Sequence, residues 1–213
     1  IRDAIGAALY DAMKYDPAIH FFGEGAHMKV HYDAPRIEQE MPDRVHTLPI
    51  SEDGNVNFCV GASLLGVKPV CDIITADFLY RAVDSIANTA AKLNFVLPDD
   101  EKPRTIVVRA EFLIGGPTTG QRPEMLFARI PGLNVVVPSN PKDAYGLMRC
   151  ALGASGVTVF FEDRMIRDTD TRPEDLLTIE NRSIQFLGHG EFRRLGPPFN
   201  LTIVAYGLMV REV

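Results

Sequence analysis

Residues 47–92 carry the pattern that decides the fold, and they read TLPISEDGNVNFCVGASLLGVKPVCDIITADFLYRAVDSIANTAAK. Small apolar residues between positions 54 and 65 predict a buried helix, and Gly66 can end it in a left-handed conformation. The apolar run 67–74 is typical of a buried strand, and 78–95 has the length and spacing of another helix. A strand between two helices indicates an α/β unit.

The rest of the chain continues this alternation. Asn140 is a suitable helix cap, and Pro141 suits the first helical position that follows it. Further strands are predicted at 18–22, 44–48, 105–109, 133–138 and 157–161, and further helices at 2–13, 35–41 and 141–152. Near-continuous apolar strands that alternate with helices predict an α/β fold, with a parallel sheet flanked by helices on both faces.

The composition changes after the last of these strands. Residues 162–198 are polar and rich in Arg, Asp, Gly and Pro, as expected of a linker, whereas 201–206 form a fresh apolar run that predicts a strand. We therefore expect one domain with its linker at 1–192 and the start of a second α/β domain at 193–213. Because the chain begins with Ile1 and stops just after a strand-like run, we also expect it to be part of a longer protein.

Charge and cysteine content narrow the function classes. The net charge of −6 provides no basic face for nucleic acid, and no apolar run approaches the roughly 20 residues of a membrane span. Cys59, Cys71 and Cys150 are far apart and form neither a CxxC pair nor a zinc-binding spacing. We expect reduced, buried thiols in a cytosol-like compartment, and neither nucleic acid nor a membrane as partner.

Three acidic residues are candidates for chemistry because they follow predicted strands. Glu24, Glu52 and Asp77 fall near the carboxyl ends of strands, where open α/β sheets bind ligands. Spacing alone leaves a helix cap, a loop anchor or a solvated charge as alternatives for each of them. The glycine-bearing stretch 115–122 lacks the ending of a P-loop, which favours a loop near an active site over a nucleotide cradle.

Other familiar sites have no support in the sequence. No HExxH or GxSxG motif occurs, so zinc-dependent proteolysis and serine hydrolysis are not indicated. His27 and His31 lie four residues apart, but the glycines and proline around them make a shared helix doubtful. A surface pair is favoured over a metal site there.

Several motifs occur together in a characteristic order. They are Phe21-Phe22-Gly23-Glu24, Leu48-Pro49-Ile50-Ser51-Glu52, Asp77-Phe78, the run 82–92 (AVDSIANTAAK) and the run 131–138 (PGLNVVVP). In this order the chain resembles the beta subunit of the decarboxylating first component of 2-oxo acid dehydrogenase complexes, of the pyruvate and branched-chain types. Residues 201–210 resemble the start of the transketolase-type carboxy-terminal domain of that subunit.

The resemblance implies a cofactor and a site. Members of this family use thiamine diphosphate, which performs the carbanion chemistry while the protein tunes it. Glu52 matches the carboxyl group that hydrogen-bonds a pyrimidine nitrogen and thereby activates the cofactor. Ile50 and Phe78 match positions that contact the pyrimidine ring, and Glu24 matches a turn near the cofactor. The resemblance therefore implies oxidative decarboxylation of a 2-oxo acid, with acyl transfer to a lipoyl group.

The resemblance also implies a partner. Thiamine enzymes hold the diphosphate through a divalent metal bound by a Gly-Asp-Gly motif, and this motif does not occur here. We therefore expect no metal ligand in this chain, with Mg²⁺ and the diphosphate held by an alpha subunit in an α2β2 heterotetramer. A lipoyl-bearing acyltransferase is the expected acyl acceptor, and the expected location is the cytoplasm, or the mitochondrial matrix in a eukaryote.

The chain departs from the family at one loop. The family usually has His-Ser-Gln there, whereas this chain reads Thr118-Thr119-Gly120-Gln121, with Thr119 near the histidine position. Two alternatives therefore stay open. One is a split transketolase-like enzyme that moves a two-carbon unit, and the other is a noncatalytic subunit that scaffolds or regulates an alpha chain.

Overall fold

A six-stranded, entirely parallel sheet forms the centre of the molecule. The computed structural model describes residues 1–24, 34–97, 104–166 and 203–212. The strands are β1 (Ile19–Glu24), β2 (Val45–Leu48), β3 (Lys68–Thr75), β4 (Thr105–Phe112), β5 (Leu133–Val136) and β6 (Gly156–Asp163). Their order across the sheet is β2-β1-β3-β4-β6-β5, which confirms the predicted α/β fold with a parallel sheet.

Helices cover both faces of this sheet. They are α1 (Arg2–Tyr15), α2 (Ala34–Glu40), α3 (Glu52–Leu64), α4 (Leu93–Val96), α5 (Glu124–Phe127) and α6 (Pro141–Gly153). On one face, α1 and α6 pack over a core that includes Leu9 and Met148, and on the other face α3 packs over a core that includes Val56.

Side chains of each strand alternate between these two cores. Val107 belongs to the core under α1 and α6, whereas its neighbour Val108 belongs to the core under α3. Consecutive side chains of a strand point to opposite faces, so a strand covered on both sides is apolar at nearly every position. All eight residues of β4 are accordingly buried.

The connection after β3 is more irregular than predicted. The predicted helix 78–95 is a succession of short pieces: 3₁₀ turns at Ala76–Ala82 and Ala90–Lys92, a π-helical turn at Ser85–Thr89, and α4. The Ser85 hydroxyl donates to the Ala82 carbonyl oxygen at 3.0 Å. Such side-chain bonds compete with the main-chain ladder and bend a helix. Residues 78–95 are therefore helical, as predicted, but not one regular α-helix.

The carboxyl end of β3 contains a β-bulge. The pairing of β3 with β4 shifts register between Asp72 and Thr75, and Ile74 between them has a φ of 33°. Left-handed backbone is unfavourable for a β-branched residue. Bulges redirect the chain and the side chains that follow, and the next residues here are Asp77 and Phe78.

Residues 203–206, the described part of the predicted strand at 201–206, do not belong to the sheet. Within the described segment 203–212, residues 203–206 pair with no strand and Gly207–Arg211 forms a 3₁₀ turn. A strand needs a neighbour to pair with, and no described residue offers one. Positions 193–200, where the domain boundary was expected, and His27 and His31 lie outside the described residues, so the two-domain division stays a prediction.

Two further expectations concern the cysteines and membranes. Cys59 and Cys71 are buried, as expected, whereas Cys150 is half-buried. In the part of the chain that the structure describes, no helix combines the length and apolar character needed to cross a bilayer.

Candidate functional site

Glu24 organises the segment that leads into α3. It is the last residue of β1 and is only 3% exposed. Its Oε1 accepts hydrogen bonds from the Ser51 backbone N–H at 3.1 Å and from Asn55 Nδ2 at 2.9 Å. Asn55 also donates to the Pro49 carbonyl oxygen at 2.9 Å. These bonds fix the turn 49–51 against the end of β1, and that turn determines where Glu52 begins the helix.

Glu52 is a buried carboxylate with little hydrogen bonding. It is the first residue of α3 and 5% exposed, and a helix amino terminus favours negative charge. Its Oε2 lies 3.4 Å from Nε of Arg81, whose side chain is 76% exposed. Among the described residues, no donor makes a hydrogen bond to the Glu52 carboxylate. Buried carboxylates normally have hydrogen-bond partners, so Glu52 has acceptor capacity available for a ligand.

Neighbouring negative charge affects Glu24. Burial is the largest cause that raises the pKa of Glu24 above its usual value, and the nearby carboxylates of Glu52 and Asp72 raise it further. The hydrogen bonds from Ser51 and Asn55 act in the opposite direction but do not cancel this effect. Glu24 therefore keeps a proton more readily than an ordinary glutamate.

Two exposed apolar side chains lie close in sequence to Glu52 and to its ion-pair partner Arg81. Ile50, two residues before Glu52, is 84% exposed, and Phe78, three residues before Arg81, is 38% exposed. Large solvent-exposed apolar side chains indicate a ligand site when they lie beside a buried polar group, because ligand sites combine apolar contacts with a few polar groups. A carboxylate with acceptor capacity, together with exposed aromatic and aliphatic side chains, is the combination that a flat heteroaromatic ligand requires.

Other charged residues of this sheet edge are engaged with one another. The buried Arg109 donates through Nε to Glu162 Oε1 at 2.6 Å, and the same nitrogen lies 3.8 Å from Asp72 Oδ1. Glu111, two residues beyond the predicted end of β4, lies inside this strand and accepts from Arg2 at 3.0 and 3.2 Å. These pairs compensate buried charge, which is a structural role.

Asp77 acts as a loop anchor. It is 6% exposed, and both of its carboxylate oxygens accept backbone N–H groups from the loop after β4. A loop anchor was one of the alternatives that the sequence left open for this acid. Asp77 therefore differs from Glu52, whose carboxylate makes no hydrogen bond within the described residues.

Sequence reasoning missed two residues of the site. Asn55 follows Glu52 by three positions, and a polar residue on the buried face of an otherwise apolar helix was the available signal. Arg81 reaches Glu52 across a tertiary contact, for which the local sequence gives no signal. No cluster of three or more His, Cys, Asp or Glu side chains suited to a metal ion occurs within residues 1–24, 34–97, 104–166 and 203–212.

The family model for the transketolase pyrimidine-binding domain matches residues 1–167. The chain belongs to this family. The pyrimidine-binding domain so defined includes all six strands and places Glu24, Ile50, Glu52 and Phe78 at the carboxyl edge of the sheet or in the connections that leave it.

Curated relatives extend the similarity beyond this domain. The chain is 31% identical over 220 residues to the 2-oxoisovalerate dehydrogenase subunit beta of Bacillus subtilis, covering 98% of this chain and 63% of the relative. It is 29% identical to the pyruvate dehydrogenase E1 component subunit beta-2 of rice, covering 99% of this chain and 56% of the relative. The resemblance to beta subunits is thus confirmed over nearly the whole chain, although the chain spans only about 60% of the length of these relatives.

A solved structure shows the same fold. A split-gene transketolase, described as an inactive beta4 tetramer, superposes with a TM-score of 0.66 at 19% sequence identity. The match covers 81% of this chain and 54% of that chain. At this identity the likeness supports the pyrimidine-binding fold alone.

Proposed function

We propose that this chain is the pyrimidine-binding half of a thiamine-diphosphate-dependent 2-oxo acid dehydrogenase, in the role of its beta subunit. The observation that carries the proposal is Glu52, a buried carboxylate that begins α3, lies 3.4 Å from the exposed Arg81 and accepts no hydrogen bond from a described residue. Ile50 and Phe78 are exposed apolar side chains on the segments that precede α3 and follow β3. Membership of the pyrimidine-binding family and the similarity to beta subunits of oxo acid dehydrogenases support it.

The residues of this chain have distinct tasks in the proposed mechanism. When bound, the cofactor supplies the carbanion chemistry of decarboxylation. Glu52 would hydrogen-bond a pyrimidine ring nitrogen and would control the proton at that atom. Phe78 and Ile50 would hold the ring by apolar contact and exclude water, which would strengthen this hydrogen bond. Glu24 holds the turn 49–51 in place through Ser51 and Asn55.

The proposal requires a second subunit. This sequence has no Gly-Asp-Gly motif, so we assign Mg²⁺ and diphosphate binding to an alpha subunit, with α2β2 as the expected assembly. The 2-oxo acid is the proposed substrate, and a lipoyl-bearing acyltransferase is the proposed acceptor of the acyl group. A cytoplasmic or mitochondrial-matrix location follows from this role and stays a prediction.

The substitution Glu52→Gln tests the proposal directly. An amide cannot exchange a proton with the ring nitrogen, so decarboxylation by the complex with the alpha subunit should fall by about 10²–10⁴-fold. The measurement is turnover of pyruvate and branched-chain 2-oxo acids with an artificial electron acceptor, which bypasses the lipoyl group.

Asp53→Asn is the matched control for this test. Asp53 is the next residue of α3, is exposed, and also loses a carboxylate in the variant. It should leave turnover within about twofold, as expected of a surface substitution away from the site. Wild-type turnover in the Glu52→Gln complex would refute the role assigned to Glu52.

A second candidate reaction is two-carbon transfer between sugars, in a split transketolase-like enzyme. The observation that favours it is the loop at 118–121, which has Thr119 near the position of the family's histidine. Assaying the complex in parallel with sugar phosphates and with 2-oxo acids separates the two reactions. If the chain is instead a noncatalytic subunit, a structure of the complex should show thiamine diphosphate bound without contact to Glu52 or Phe78.

A further inference from the structure

The loop that follows β4 has a shape determined by glycine. It spans residues 113–123, and Gly115, Gly116 and Gly120 have φ values of 61°, 128° and 107°. The Thr119 hydroxyl donates to the Gly115 carbonyl oxygen at 3.1 Å, and a Cβ at Gly120 would lie 3.2 Å from the Gly115 backbone nitrogen. The loop is thus a closed turn with little room for other residues at position 120.

One carboxylate holds this turn. Asp77 Oδ2 accepts the Gly120 N–H and Oδ1 accepts the Gln121 N–H, both at 3.0 Å. Asp77 is buried, so the two bonds operate with little competition from water. Hydrogen bonds to an ionised carboxylate are stronger than those between neutral groups. The carboxylate therefore ties the middle of the loop to the chain beside Phe78.

The backbone before Asp77 is shaped for this contact. The β-bulge at the end of β3 places Ile74 at a φ of 33°, and the chain then enters the 3₁₀ turn that contains Asp77 and Phe78. Strained backbone persists only where surrounding contacts enforce it, and it concentrates at functional sites. The bulge directs Asp77 toward the loop and, one residue later, sets the position of Phe78.

We propose that Asp77 is a positioning residue, which holds the turn 118–121 ready for substrate beside the pyrimidine-contacting Phe78. This inference rests on the proposed function, since it names the 2-oxo acid as the substrate that the turn receives. The exposed Thr118 and the backbone of the turn are the groups that Asp77 presents. Among the described residues, the side chain of Asp77 bonds the loop backbone alone, so its loss should affect substrate turnover and leave cofactor binding unchanged.

The test combines amide exchange with kinetics in the full complex with the alpha subunit. In Asp77→Ala, the peptide containing Gly120 and Gln121 should lose protection from hydrogen exchange. The kcat/KM for the 2-oxo acid should fall by about ten- to a hundred-fold, the range that a small misplacement near a reacting centre produces. The Kd for thiamine diphosphate should stay within about twofold, because contacts to the pyrimidine are retained.

Three further variants sharpen the result. Asp77→Asn keeps one acceptor oxygen and should fall between wild type and Asp77→Ala in both exchange and kcat/KM. Gly120→Ala distorts the turn from its own side and should reproduce the kinetic pattern with Asp77 intact. Asp43→Asn removes an exposed carboxylate at the amino-terminal end of β2 and should change neither measurement.

Two results would overturn the inference. Normal amide protection in Asp77→Ala would show that the carboxylate does not hold the turn, and lost protection with unchanged kcat/KM would show that the held turn does not serve substrate. A wild-type complex that decarboxylates no 2-oxo acid would instead refute the proposed function. If that complex turns over sugar phosphates instead, amide exchange together with kinetics on those sugar phosphates would still decide whether Asp77 positions the turn.

Discussion

Single residues at the carboxyl edge of the sheet differ in how far the sequence reveals them. Glu52 stands out because it follows an apolar approach and begins a helix, and the structure places it there, buried. Asn55 contacts Glu24, and Arg81 contacts Glu52. No local sequence pattern marks either contact, because the fold brings each pair together from distant positions in the chain. Sequence patterns report periodicity and caps, whereas tertiary hydrogen bonds leave no such trace.

His20 provides a residue-level prediction of pH dependence. His20 Nδ1 and His46 Nε2 are 2.9 Å apart, and burial, followed by the charges of His46 and Arg44, lowers the pKa of His20 from 6.5. The unfolded chain therefore binds this proton more readily than the folded chain. The contribution of His20 to stability should be fully present above about pH 6.5 and decline as the pH falls toward the folded-state pKa.

Urea denaturation between pH 8 and pH 5 checks this dependence. In His20→Gln the loss of stability on acidification should be smaller than in wild type, because the titrating imidazole is gone. Because His46 contacts His20 and its charge affects the pKa of His20, the difference between the two curves reports His20 together with its contact to His46. Parallel curves for the two proteins would contradict the prediction.

At the scale of secondary-structure elements, local sequence signals predicted where helices begin and end better than they predicted the geometry inside a helix. Asn140 and Pro141 correctly marked the start of α6, and Gly66, with a φ of 88°, follows α3 as expected. β4 extends to Phe112, beyond the predicted end at 109, since Arg2 compensates the charge of Glu111 inside the strand. Apolar periodicity predicted the helical stretch at 78–95 but not its irregular turns, because it does not register a hydroxyl that bonds to the main chain.

The cap of α6 gives an element-level prediction. The Asn140 side-chain oxygen accepts the Asp143 backbone N–H at 2.9 Å. Asn140→Ala leaves that N–H without its partner and should lower the free energy of unfolding by about 1 kcal/mol. Urea denaturation of the full protein measures the change.

Asn57→Ala is the control for this prediction. Asn57 is exposed in the interior of α3, where alanine is the better helix former. This variant should be as stable as wild type or slightly more stable. Equal destabilisation by both substitutions would show that loss of an asparagine, rather than loss of the cap, is responsible.

At the scale of the whole molecule, the class of sheet was predictable but the strand order was not. Alternating apolar strands and helices specify a parallel sheet with two covered faces. The order β2-β1-β3-β4-β6-β5 depends on pairings between distant segments, such as Thr105 with Gly156. Neither composition nor periodicity encodes such pairings.

The proposed division of the active site between two chains leads to a binding prediction. Without an alpha subunit, this chain should bind thiamine diphosphate and Mg²⁺ more weakly than micromolar, which corresponds to less than about 8 kcal/mol of binding free energy. Isothermal titration of the isolated chain and of the α–β complex measures the difference. Micromolar or tighter binding by the isolated monomer would contradict the division of the site.

The all-parallel sheet has a consequence for how quickly the protein forms. No two neighbouring strands are joined by a hairpin, and the neighbouring strands β4 and β6 are separated by β5 and α6 along the chain. Long segments must therefore close into loops before neighbouring strands can pair. Loop closure lowers the entropy of the chain before the contacts that compensate this loss have formed. The domain should cross its folding barrier in milliseconds to seconds, as high-contact-order proteins do, and its apolar strands are exposed to aggregation during that interval.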